Sequence, residues 1–189
     1  MRDTDGMDLR VVKTLDAIRK AFESMICEMD YGRMTVKELC ERARINKKTF
    51  YRYYPTLDDL LAELQTEMPR EYIERTRDYR MPDDIMAITR EFYRFSEEKG
   101  PAYERITCAR SYRDMRDTMI GVVQNEHWRG NPRFEALDDA EQHVLLTFIG
   151  TASTEIYRQW LADGKRVPLD RIIEISATLI GSGIDRMLG

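Results

Sequence analysis

Apolar residues recur at steps of three and four along most of the chain, and runs with proline, glycine or a capping residue cut that rhythm into helices. Val11, Leu15, Ile18, Phe22, Met25 or Ile26, and Met29 form one stripe, which predicts an amphipathic helix over 8–29 behind a disordered leader at 1–7. Asp30-Tyr31-Gly32 ends it, with Gly32 as the expected left-handed cap. Two short helices follow in TVKELCERARINKKTFYRYY, from Thr35 to Tyr54. Thr35 with Glu38 has the form of a capping box, and Val36, Leu39, Cys40 and Ala43 share a face. Ala43-Arg44-Ile45 makes the turn, and Asn46 caps the second helix. Pro55-Thr56 breaks the chain. Thr56 then caps a fourth helix striped by Leu57, Leu60, Leu61, Leu64 and Met68. Ile18, Phe22, Met25, Val36, Leu39, Cys40, Ile45, Phe50 and Tyr54 make a core too small to stand alone, so the fourth helix is expected to serve as buttress and connector.

Pro69 should kink or restart the pattern, and a polar helix continues over 71–79. Arg80-Met81-Pro82-Asp83-Asp84 reads as a break. A helix over 83–99 carries Ile85, Ile88, Phe92 and Phe95, and Gly100-Pro101 stops it. One long helix is expected over 102–128, with Gly121 a candidate interruption, then a loop at Arg129-Gly130-Asn131-Pro132. Helices over 139–162 and 169–188 close the chain. The first holds the small-residue run Gly150-Thr151-Ala152-Ser153-Thr154, which lets another helix approach closely. The last is apolar on most sides through Ile172, Ile173, Ile175, Ala177, Leu179, Ile180 and Ile184, so it must be covered on most sides. Burial within the chain is one cover; the same pair of helices from a second subunit is the simpler one, a two-fold dimer being the commonest assembly. Phe148, Ala152, Ile156, Ile172, Ile175, Leu179, Ile180 and Ile184 are the expected interface.

With 10 glycines, 6 prolines and almost no β-branched alternation, the fold class is all-α. A hydrophobic share of 42% beside 34% charge describes a globular chain. The net charge of −4 hides an uneven distribution: seven basic and two acidic residues lie between Tyr31 and Thr56, a local +5 against −9 elsewhere. A basic island on an acidic body suits a phosphate-binding surface, although a charge run taken alone usually means a solvated face. Cys27, Cys40 and Cys108 are widely spaced and odd in number, as befits reduced thiols in a cytoplasmic protein. No apolar run reaches bilayer length, and the first ten residues hold no signal-peptide core. The chain lacks GxGxxG, a P-loop and a GxSxG elbow, and His127 and His143 lack metal-ligand spacing. No enzymatic activity, cofactor or metal is expected.

A short buried helix, a turn, and a second short helix rich in Lys, Arg, Thr and Tyr is the layout of a helix-turn-helix DNA reader. Residues 9–64 resemble the N-terminal domain of the TetR/AcrR family of transcriptional regulators. The resemblance rests on Thr35-Val36-Lys37-Glu38-Leu39-Cys40, Ala43-Arg44-Ile45-Asn46, Lys47-Lys48-Thr49-Phe50-Tyr51-Arg52-Tyr53-Tyr54, and Leu60-Leu61. Two positions depart from the family. Arg44 stands where a turn glycine is common, which is tolerable if the turn needs no positive φ. Leu57 stands where a phosphate-binding lysine is common.

Asn46, Lys47, Lys48 and Thr49, at the start of the reading helix, are expected to meet base edges. Tyr51, Arg52, Tyr53 and the Thr35 hydroxyl, with Val36 and Lys37 beside it, are expected against phosphate, while Phe50 and Tyr54 belong to the core. Two readers in a homodimer would face successive major grooves of a near-palindromic operator. The resemblance also implies a small effector among the middle helices, with Phe92, Phe95, Tyr103, Cys108, Tyr112, Met115, Met119, His127 and Trp128 as candidates, although core packing accounts for any one of them. The resulting expectation is a regulator, most simply a repressor, divided into a reading domain at 8–55 and an effector and dimerisation domain at 56–189, with 56–68 as connector. The alternative is a helical protein–protein interaction module whose basic island binds an acidic partner.

Overall fold

Side-chain caps set the helix ends in the first third of the chain. The computed structural model describes residues 9–188; the expected leader at 1–7 and helix start at Asp8 lie outside them. The described residues form helices and connecting turns, with no strand among them. In order, the helices are α1 (Leu9–Glu28), α2 (Val36–Arg42), α3 (Lys47–Tyr53), α4 (Leu57–Glu67), α5 (Arg70–Thr76) and α6 (Ile85–Glu98). Then come α7 (Pro101–Cys108), α8 (Arg113–Trp128), α9 (Pro132–Glu135), α10 (Asp139–Ala162) and α11 (Leu169–Leu188). Single 3-10 turns lie at Tyr31–Arg33 and Arg110–Tyr112.

Two compact units divide the chain. The first combines the described part of Met1–Glu67 with Pro101–Arg116. Its core holds Leu15, Ile18, Phe22, Met25, Ile26, Leu39, Cys40, Phe50, Tyr54, Leu60 and Leu64, joined by Ile106, Tyr112 and Met115 from the later segment. Val36 and Ile45, expected in this core, stay half-buried. Both Met25 and Ile26 are fully buried, so the α1 stripe is wider than a single row. The boundary between the units therefore falls elsewhere than position 55: α4 and α7 pack with the reader.

The second unit combines Met68–Gly100 with the described part of Asp117–Gly189. Helix α6 packs on α11 and α5, and α10 packs on α11. Tyr93, Tyr157, Trp160 and Ile173 form a buried cluster, in which the Tyr93 hydroxyl donates to Ser176 Oγ at 2.9 Å. Burial pushes the Tyr93 phenol up to about 12.

Several expectations change. Gly32 does not take a left-handed φ; the chain leaves α1 through an extended Asp30 (φ −77, ψ 147) into a 3-10 turn. The helix expected over 102–128 is two helices, parted where Ala109 turns extended (φ −79, ψ 137). The break frees carbonyls at the end of α7, and the Arg116 guanidinium donates to those of Ile106 and Thr107 at 3.3 and 2.9 Å. Gly121 lies inside α8 and does not interrupt it. Pro69 separates α4 from α5 as expected, and α5 is the shorter Arg70–Thr76. The loop after α8 contains α9, capped by Asn131 Oδ1 on the Phe134 amide at 3.0 Å. At Gly150 the close neighbours are Ile120 and Gln124 of α8, 3.0 and 3.1 Å from where a Cβ would stand, so this small residue serves packing inside the chain.

Candidate nucleic-acid interface

The reader is built from local hydrogen bonds. Thr35 lies extended (φ −130, ψ 147), and its hydroxyl accepts from the Glu38 amide at 3.2 Å, starting α2. At the other end Ile45 N donates to Cys40 O at 3.0 Å and Arg44 N to Glu41 O at 3.2 Å, the paired bonds of a Schellman cap. That cap requires a left-handed residue, and Arg44 takes φ +54. The condition on which an arginine was acceptable here is therefore not met; the turn does use positive φ, at a cost of about 1–2 kcal/mol for a residue with a Cβ. Asn46 Oδ1 accepts from the Thr49 amide at 2.8 Å and from its hydroxyl at 3.0 Å, starting α3. Thr56 and Asp59 cap α4 reciprocally at 2.8 and 3.2 Å.

These bonds determine which side chains remain available. Lys47, Lys48 and Arg52 are exposed on α3, as is Arg44 in the turn, and among the described residues none of the four makes an ion pair. Arg42 is occupied: its guanidinium binds Glu28 through two 2.7 Å bonds and Glu38 at 2.7 Å, and it holds the Glu28 carboxyl below its usual range. Lys37 is exposed and 3.9 Å from Glu41. Tyr51 is 52% exposed, its ring standing edge-on to buried Phe50 at 5.5 Å. Thr49, Tyr53 and Val36 are half-buried and Tyr54 is core. The Asn46 side-chain oxygen is occupied by its cap, so only its amide NH2 is left to face a base. At the start of α4, Leu57 is half-buried between exposed Thr56 and Asp58. Asp58 accepts from the Tyr31 hydroxyl at 2.5 Å, and burial first, then that bond, raise the Tyr31 pKa.

The effector candidates divide between the units. Tyr103, Cys108, Tyr112 and Met115 lie in the first; Phe92, Phe95, Met119, His127 and Trp128 lie in the second. Tyr112 is buried and donates to the Met29 carbonyl at 2.6 Å. In the second unit Phe92, Phe95 and His127 gather round Tyr72, ring to ring at 6.4, 5.5 and 5.9 Å. His127 Nε2 is 2.7 Å from Thr76 Oγ1 and Nδ1 is 2.9 Å from the Val123 carbonyl. Nδ1 donates to Val123 in the tautomer protonated there, while the single Thr76 hydroxyl proton is shared between Nε2 and the Tyr72 carbonyl, to which it donates at 2.8 Å; desolvation lowers the His127 pKa. Met119 and Trp128 are buried, with Trp128 stacked on Phe134 at 5.1 Å.

The expected interface residues also separate. Ile180 and Ile184 are fully buried in the chain's own core, so they cannot face a partner. Ile156 and Ile172 are partly buried against the Tyr93 cluster, and Ala152 is half-buried. Phe148, Ile175 and Leu179 are 43%, 41% and 60% exposed, and Val144, outside the expected set, is 61% exposed. Gly183 receives Phe148, whose ring lies 3.4 Å from where a Cβ would stand. Two further features were not visible in the sequence: the Tyr31–Asp58 bond and the packing of α7 on α1 both join residues far apart in the chain.

Two seven-residue helices joined through a left-handed turn, the second presenting cations with no ion pair among the described residues, define a helix-turn-helix DNA-binding domain in an all-α chain. Residues 16–64 match the model of the "Bacterial regulatory proteins, tetR family". The matched residues, about a quarter of the chain, are those of the helix-turn-helix unit, which is thereby similar to the DNA-binding domain of tetR-family regulatory proteins. It is 32% identical over 69 residues to the uncharacterized HTH-type transcriptional regulator YxbF of Bacillus subtilis (strain 168), a match spanning 36% of this chain and 18% of that protein. The fold is similar to a TetR transcriptional regulator from Streptococcus agalactiae 2603V, at 19% identity and TM-score 0.66, covering 90% of this chain and 95% of the other. It is also similar to FadR from Bacillus subtilis, solved in complex with stearoyl-CoA, at 15% identity and TM-score 0.65, covering 89% and 98%. No helix among the described residues is long and apolar enough to cross a membrane.

Proposed function

We propose that the protein binds a near-palindromic operator as a homodimer and represses transcription until a small-molecule effector releases it. The observation that carries this reading is the exposed face of α3, where Lys47, Lys48 and Arg52 make no ion pair among the described residues, in a domain that matches the TetR model. Lys47, Lys48, Thr49 and the Asn46 amide are assigned to base edges. Thr35, Val36, Lys37, Tyr51, Arg52 and Tyr53 are assigned to phosphate, and together they supply the backbone binding that the apolar Leu57 cannot.

Dimerisation is assigned to α10 and α11, where Val144, Phe148, Ile175 and Leu179 leave apolar surface in water. Although α4 and α7 pack in the same unit as the reader, the functional division assigns 8–55 to reading and 56–189 to effector binding and dimerisation, with 56–68 connecting. The effector is assigned to the middle helices, with Phe92, Phe95 and His127 round Tyr72 as its most closely gathered candidates. Because FadR is solved with stearoyl-CoA, a long-chain acyl-CoA is the first ligand to test.

The deciding experiment is duplex binding titrated with salt. A steep loss of affinity with rising salt supports phosphate neutralisation by the basic face. Absence of duplex binding at low salt sinks the reading and favours the acidic-partner alternative.

A further inference from the structure

Three successive residues at the end of α1 are gripped by three sets of side-chain bonds, all within the first unit. The Met29 carbonyl accepts from the Tyr112 hydroxyl at 2.6 Å. The Asp30 carboxylate accepts from the Ser111 hydroxyl at 2.7 Å and from Arg105 at 3.2 Å on the same oxygen. The Tyr31 hydroxyl donates to Asp58 at the start of α4. Asp30 stands at the N-cap position of its 3-10 turn yet makes no side-chain cap there; its carboxylate instead meets Arg105 of α7 and Ser111 between α7 and α8. Its own carbonyl accepts from Arg33 at 2.9 Å, and the turn leads directly to Thr35 and α2.

This placement matters because Gly32 supplies no left-handed cap to aim the chain into α2. The direction of α2, and of α3 behind it, is then set by the buried Leu39 and Cys40, by the Arg42–Glu28 pair and by these long-range bonds. We propose that Asp30 is a positioning residue for DNA reading: held by Ser111 and Arg105, it sets the approach of α2 and so where the α3 side chains meet base edges. This role rests on the DNA-reading proposal. A carboxylate is repelled by phosphate, so any benefit of Asp30 to DNA binding must come through geometry.

The test uses the full-length protein and an operator selected from random duplexes. Affinities for that operator and for a scrambled duplex are measured at fixed salt for wild type, Asp30→Ala, Asp30→Asn and Ser111→Ala, with melting temperatures alongside. Asp30→Ala should lose about fivefold on the operator and nothing on the scrambled duplex, with an unchanged salt slope. Asp30→Asn, which can still accept from Ser111, should recover part of the loss. Ser111→Ala, an exposed single-hydroxyl deletion, should lose part of it. Equal changes on both duplexes, or no change on either, overturn the inference. Failure of the wild-type protein to prefer any duplex instead removes the parent reading.

Discussion

The reader and the last two helices each leave large side chains in water, but of opposite kinds. On α3 the exposed groups are Lys47, Lys48, Arg52 and the phenol of Tyr51. On α10 and α11 they are Val144, Phe148, Ile175 and Leu179. A cationic surface is content in water until a polyanion displaces its counterions. An apolar surface is not, and burying it gains roughly 25 cal/mol for each Å² removed from water. Under the proposed function the two surfaces take different partners, DNA for one and a second copy for the other. They should also respond oppositely to salt, which screens the first and leaves the second intact.

The largest effect is expected where that contrast is reversed. Leu179→Glu places two charges in the proposed dimer interface and should weaken association at least about 100-fold, since an unpaired buried charge costs several kcal/mol. Sedimentation equilibrium should show monomers of unchanged helicity, and operator affinity should fall with them. A dimer that survives removes α11 from the interface. Next, Lys48→Ala should weaken operator binding about tenfold and relax base preference. Arg52→Ala should instead weaken all duplexes alike and lower the salt slope by about one. Equal losses across sequences in both variants would undo the split between base and phosphate roles.

A smaller effect concerns the second unit alone. The unfolded imidazole titrates near 6.5, and burial holds His127 lower. Between those two values the unfolded state binds more protons, so stability rises with pH and is lost as pH falls below the unfolded value. Thermal melts at about pH 5.5 and 7.5 should show lower stability at the acid end, and His127→Gln should reduce the difference. A pH difference unchanged in the variant would place its origin elsewhere. The smallest effect lies in the reader. Arg44→Gly relieves the left-handed arginine but loosens the unfolded chain, for a net gain of about 0.5 kcal/mol in denaturant unfolding. A loss in stability would show that the Arg44 side chain contributes more than its backbone costs.

Legibility follows from the range of the bonds involved. The ends of α2, α3 and α4 were legible because Thr35, Asn46 and Thr56 cap their own helices within three residues. The limits of α10 and α11 were legible from their apolar patterns, and the structure adds a capping box of Asp138 and Glu141 at the start of α10. The break at Ala109 was not, because the group that stabilises it, Arg116, acts from nine and ten residues away on carbonyls that any helix end would free. The over-apolar character of α11 was visible, but not which of its isoleucines turn inward.

Propensity, capping and charge are properties of neighbouring residues, and from them alone came the all-α class, the helix-turn-helix and the cationic face of α3. The folded arrangement was needed to make Ile180 and Ile184 core and Leu179 surface, to hold Arg44 at positive φ, and to pack α7 with the reader. Packing, turn closure and hydrogen bonds such as Tyr112 to Met29 depend on which distant residues meet, and periodicity along the chain does not record that.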